Sequence, residues 1–104
     1  MKVKRDGDNY KITFKITNTG KRDGEEVVQF YAKMKGDDAA KRLRGFDRVA
    51  VKAGETKEVT ITVSAEDLML WNMKEHKHML NKGRAKFMIG ASSADIRLKK
   101  NVRI

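Results

Sequence analysis

Apolar and polar residues alternate along most of this chain, and the alternation predicts strands. The stretch from Leu43 to Val63 shows it best. There Val59, Ile61 and Val63 interleave with Glu58, Thr60 and Thr62, the period of two expected of a strand with one buried face. Ala53-Gly54-Glu55 precedes it as a turn, because Gly54 tolerates a positive φ. Tyr10, Ile12, Phe14 and Ile16 alternate with Lys11, Thr13, Lys15 and Thr17 in a second strand. Lys2 to Arg5 is the end of another, closed by the turn cluster Asp6-Gly7-Asp8-Asn9.

The segment Glu26 to Met34 behaves differently. Val28, Phe30, Ala32 and Met34 share one face, while Val27, Gln29, Tyr31 and Lys33 share the other. That second face is only half polar, which predicts a strand central in its sheet or covered by something else. Further on, Ala85, Phe87 and Ile89 mark a strand over Arg84 to Ala91, and Ile96, Leu98, Val102 and Ile104 mark the last. A bulge at Gly45 is expected to shift the phase so that Leu43 and Phe46 both reach the core. Ser64 and Asp67 have the spacing of a capping box for a short helical turn, and Leu68, Leu70 and Trp71 then close one end. Asn72 to Lys82 is a polar loop or hairpin. The sum is six or seven strands, spaced as in an all-β antiparallel sandwich.

Composition narrows the chemistry. A chain of 104 residues suits one domain, 1–104, with one core. It contains no cysteine, so disulfides, thiol catalysis and cysteine-bound zinc are excluded. No apolar run approaches the roughly 18 residues of a membrane span, and Met1-Lys2-Val3-Lys4-Arg5 is not a signal peptide. Proline is absent, where average usage predicts about five, so an excised or engineered origin stays open. The formal charge is +10, a field that attracts polyanions. The basic residues are nevertheless spread along every segment, as on an ordinary solvated surface.

Several segments together carry a resemblance. Asn18-Thr19-Gly20-Lys21, Gly24 and Glu26 to Tyr31 resemble the motif N-T-G-K…G-x-E-V-V-Q-x-Y. Leu43 to Val49 is similar to L-K-G-F-x-R-V, Lys52 to Thr56 to K-x-G-E-T, Ser64 to Trp71 to S-x-E-D-L-x-x-W, and Gly90 to Leu98 to G-x-S-S-x-D-I-R-L. In that order they resemble the fibronectin type III-like domain at the C-terminal end of glycoside hydrolase family 3 enzymes, chiefly β-glucosidases. The resemblance implies an immunoglobulin/fibronectin type III-like sandwich of about seven strands. It also implies a non-catalytic accessory module, a fragment of a larger, periplasmic or secreted glycosidase, with the catalytic residues in other domains. Two departures are Ala39-Ala40, where the family has a proline, and Ala85, where it has an aromatic residue. The family's additional leading strand would precede Lys2.

The residues offer no catalytic constellation. Glycoside hydrolysis needs two carboxyl groups about 5–10 Å apart, one with a raised pKa. Asp6, Asp8, Asp23, Glu25, Asp37 and Asp38 fall instead in predicted turns and on solvated faces. His76 and His78 beside Glu75 have strand spacing for a metal, but further ligands are missing, so an exposed hairpin is the simpler reading. No cofactor motif is present. Arg42, Arg44 and Arg48, with Phe46 among them, are the candidate polyanion contacts for a free-standing basic module binding acidic polysaccharide or nucleic acid. Trp71, Tyr10 and Tyr31 are the aromatics to consider for carbohydrate, with burial of Trp71 against Leu68 the ordinary alternative. Val27, Gln29 and Tyr31 are the candidate interdomain interface, for docking on catalytic domains or for a homodimer.

Overall fold

The structure is a computed structural model. It describes residues 1–37, 39, 41–92 and 95–104, with Ser92 and Asp95 described by backbone only. Nine strands are present among these residues: β1 (Lys2–Asp6), β2 (Asn9–Thr17), β3 (Gly24–Lys33), β4 (Arg42–Val51), β5 (Thr56–Ser64), β6 (Leu70–Asn72), β7 (Lys77–Met79), β8 (Arg84–Ser92) and β9 (Asp95–Arg103). They form a three-stranded sheet ordered β1-β2-β5, a four-stranded sheet ordered β4-β3-β8-β9, and the small hairpin β6-β7. Every pairing is antiparallel. The expected all-β sandwich is what forms, with the short β6 and β7 bringing the count above seven.

The inner faces are the alternating sets read from the sequence. Tyr10, Ile12 and Phe14 of β2 and Val59, Ile61 and Val63 of β5 oppose Val28, Phe30 and Ala32 of β3 and Ala85, Phe87 and Ile89 of β8 in one core. Phe87 packs edge-on against Phe30, with ring centroids 5.0 Å apart, and against Tyr10 at 6.2 Å, a geometry that the ring quadrupoles favour. β3 is central between β4 and β8, as its two apolar faces require.

The strands β4 and β5, consecutive through the Gly54 turn (φ 75°), lie in different sheets. That turn is pinned from the end of β2. The Asn18 side chain donates to the carbonyls of Arg22 (2.8 Å) and Val51 (3.0 Å), and its backbone carbonyl accepts from the Gly54 N–H (2.8 Å). Asp23 accepts from the Ala53 N–H at 2.8 Å. The N-T-G-K segment therefore ties the two sheets together at one end.

At the other end the expected capping box forms. The Ser64 N–H donates to Asp67 (3.0 Å) and the Asp67 N–H to Ser64 Oγ (3.1 Å), opening a single 3-10 turn, Glu66–Leu68. Leu68 plugs the core, fully buried, whereas Trp71 is 51% exposed. Trp71 therefore does not close the end of the sandwich. It belongs to β6, pairs with His78 of β7, and stands outside on the hairpin.

Candidate functional site

The outer face of the four-stranded sheet is the feature that sets this molecule apart from a simple sandwich. Its register places residues in rows. Tyr31 lies between Leu43 on β4 and Met88 on β8, Gln29 between Phe46 and Gly90, and Val27 opposite Arg48. Ile96 on β9 pairs with Gly90 and extends the second row. Val27, Gln29 and Tyr31, the residues singled out for their half-polar face, thus share one surface with Leu43, Phe46 and Met88.

The bulge in β4 decides this. Phe30 pairs with Gly45 and Tyr31 with Leu43, leaving Arg44 as the extra residue. The bulge therefore falls where the glycine suggested, and it does bring Leu43 and Phe46 to one side. That side is the outer one, which corrects the expectation that both reach the core: Leu43 is 50% exposed and Phe46 71%. The buried Val49 and Val51 fix the phase of β4, so Gly45 points inward and Phe46 outward. A Cβ on Gly45 would sit 3.5 Å from both Ile61 and Val63. The inward position is thus small, and the aromatic residue beside it faces solvent.

Tyr31 and Met88 are buried although they lie outside the sandwich core. The Tyr31 hydroxyl donates to the Gln29 side-chain carbonyl, satisfying a phenol at the floor of the patch. The patch rim is charged. Arg48 faces Glu25 at 3.9 Å, both largely exposed, and Lys99 flanks Met88. An apolar floor with a polar rim is the anatomy of a docking surface.

The three candidate arginines do not converge. Arg48 borders this patch. Arg42 pairs with Asp37 through Nε (2.7 Å) and Nη2 (2.9 Å). Arg44, at the bulge, has its Nε buried. Asp37 is itself a departure from the sequence reading, which set it in a solvated turn; it is 7% exposed. The Arg42 hydrogen bond holds its carboxyl below the ordinary value of 3.8, helped by the Ala39 N–H and by the charges of Arg42 and Lys33, while burial pushes the other way. A carboxyl so lowered is a structural anion, not a general acid.

His76 and His78 do not share a strand face. His76 sits in the hairpin turn at φ 52°, and His78 lies in β7 edge-on to Trp71. Among the described residues no group of three or more His, Cys, Asp or Glu side chains is placed to hold a metal. No helix among them is long and apolar enough to cross a membrane.

Comparison with known proteins agrees with this architecture. The family profile described as "Fibronectin type III-like domain" matches residues 26–93. A probable β-glucosidase M of Emericella nidulans is 35% identical over 88% of the chain, and a xylan 1,4-β-xylosidase of Xylanibacter ruminicola 34% identical over 91%. The chain spans only 12% and 11% of those relatives' lengths. Among solved structures, the β-glucosidase DesR from Streptomyces venezuelae superposes with a TM-score of 0.90 at 33% identity, covering 99% of this chain and 14% of that enzyme. β-Glucosidase 3B from Thermotoga neapolitana gives 0.88 at 32% identity, over 98% of this chain and 14% of its own. The chain corresponds to the non-catalytic accessory part of such family 3 enzymes, not to their catalytic part. It belongs to the fibronectin type III-like domain family.

Proposed function

We propose that this chain is a structural module of a family 3 glycoside hydrolase, and that it packs against and stabilises the catalytic domains through the outer face of its four-stranded sheet. The observation that carries this is the partly exposed trio Val27, Leu43 and Phe46 around the buried Tyr31 and Met88. An isolated sandwich has no need of a second apolar face, whereas interdomain contacts commonly bury about 600–1,500 Å². The chain's small share of its relatives' lengths fits a fragment of a β-glucosidase-type enzyme that is periplasmic or secreted.

The role is mechanical. The sheet presents a rigid surface, and the catalytic carboxylates belong to the neighbouring domains. The test is the full-length parent enzyme carrying Phe46→Lys. Its thermal unfolding is expected to split into separate transitions, with activity lost at the lower one. A single unchanged transition would contradict the docking role.

A further inference from the structure

A second surface, between the β6-β7 hairpin and the start of β4, has different chemistry. A groove of about 400 Å³ runs there, with Asp37, Arg42, Arg44, Leu70, Trp71 and His78 among its lining. Trp71 keeps half its surface exposed there, and the His78 ring, 5.2 Å away and edge-on, supports it. Arg44 contributes a buried Nε that has no hydrogen-bond partner among the described residues.

Among the described lining residues, the side-chain polar groups left for a ligand are donors. Among the described residues of the lining Asp37 is the one carboxylate, and its oxygens already accept from Arg42 and from the Ala39 N–H. Arg44 brings a guanidinium to the lining, and the exposed indole N–H and His78 ring can donate beside it. A guanidinium matches a carboxylate in shape and charge, and the exposed indole offers a flat apolar face. The chain's charge of +10 favours anions over its surface as a whole. A pyranose bearing a carboxylate supplies both halves: its C–H face lies on Trp71 and its carboxylate meets Arg44. A neutral sugar leaves Arg44 unanswered.

We infer that the Trp71–Arg44 groove is a binding site for uronic-acid residues of an acidic polysaccharide, separate from the docking face and independent of it. Arg48, which belongs to the other surface, has no part in it.

Trp71 is the only tryptophan in the chain, so emission excited where tyrosine does not absorb reports on this groove alone. Trigalacturonate is expected to change that emission saturably, with neutral galactotriose at least about tenfold weaker, as befits loss of a charge-assisted contact. Arg44→Gln, checked for cooperative unfolding, should weaken trigalacturonate by a similar factor, and Arg48→Gln should leave it unchanged. If Arg44→Gln fails to fold, Trp71→Ala, a change at an exposed position, is read by calorimetry and must lose the binding heat. No saturable change, equal binding of galactotriose, tighter binding of an oligothymidylate, or equal losses in the Arg44 and Arg48 variants would overturn the assignment.

Discussion

The two sheets have similar inner faces and very different outer ones. On the three-stranded sheet, Lys11, Thr13, Lys15 and Thr17 of β2 lie beside Glu58, Thr60 and Thr62 of β5. Thr13 and Thr60 exchange a hydroxyl hydrogen bond at 3.0 Å, and Thr17 and Thr56 one at 2.8 Å. That surface is finished in water. On the four-stranded sheet the equivalent positions hold Val27, Leu43, Phe46, Tyr31 and Met88. Period-two alternation explains both inner faces equally. It is the residues left over that separate a solvated surface from a partly apolar one.

The largest expected effect marks the inner face. Phe30 is fully buried, and Phe30→Ala is expected to cost about 3–5 kcal/mol in urea unfolding. A loss no greater than that of an outer-face change would erase the distinction between the faces.

Next comes the buried anion near the start of β4. Arg42→Met leaves the Asp37 carboxylate without its guanidinium, at a cost of about 1–3 kcal/mol at neutral pH, since Arg42 itself is half-exposed. The folded-state pKa of Asp37 is lowered, so the unfolded chain binds more protons in the acid range. Its contribution is therefore complete above the ordinary carboxylate value and fades as pH falls through the folded value. Asp37→Asn should flatten that part of the acid limb when stability is followed against pH.

At the far end, Asn18→Ala removes two side-chain donations that tie β2 to the turn region and β4. A loss of about 1–2 kcal/mol is expected from chemical denaturation. Smallest of all, Phe46→Lys should change the stability of the free chain by no more than about 0.5 kcal/mol, because the ring is mostly in water. A larger loss would mean that Phe46 serves this chain's own fold and not a partner.

Much of this was legible in the sequence. Tyr10 to Phe14, Val28 to Ala32, Val59 to Val63 and Ala85 to Ile89 declare their faces by alternation, and β3 declares its central place by being apolar on both. The Ser64–Asp67 cap was readable from spacing, and so was the position of the bulge. The face that Leu43 and Phe46 take was not, because a bulge reverses parity and only the packing of Val49 and Val51 sets it. Nor was the exposure of Trp71, which depends on where a three-residue strand hangs outside the sandwich. Asp37 looked like a turn residue; its burial follows from Arg42, five positions on, folding back over it.

The measurement that tests the central claim most directly is calorimetric titration of this chain against the separately produced catalytic part of the glycosidase proposed as its parent. The outer-face account predicts saturable, salt-insensitive association that Phe46→Lys abolishes and Thr60→Lys, on the opposite sheet, leaves intact. Association indifferent to Phe46→Lys, or weakened equally by Thr60→Lys, would contradict it.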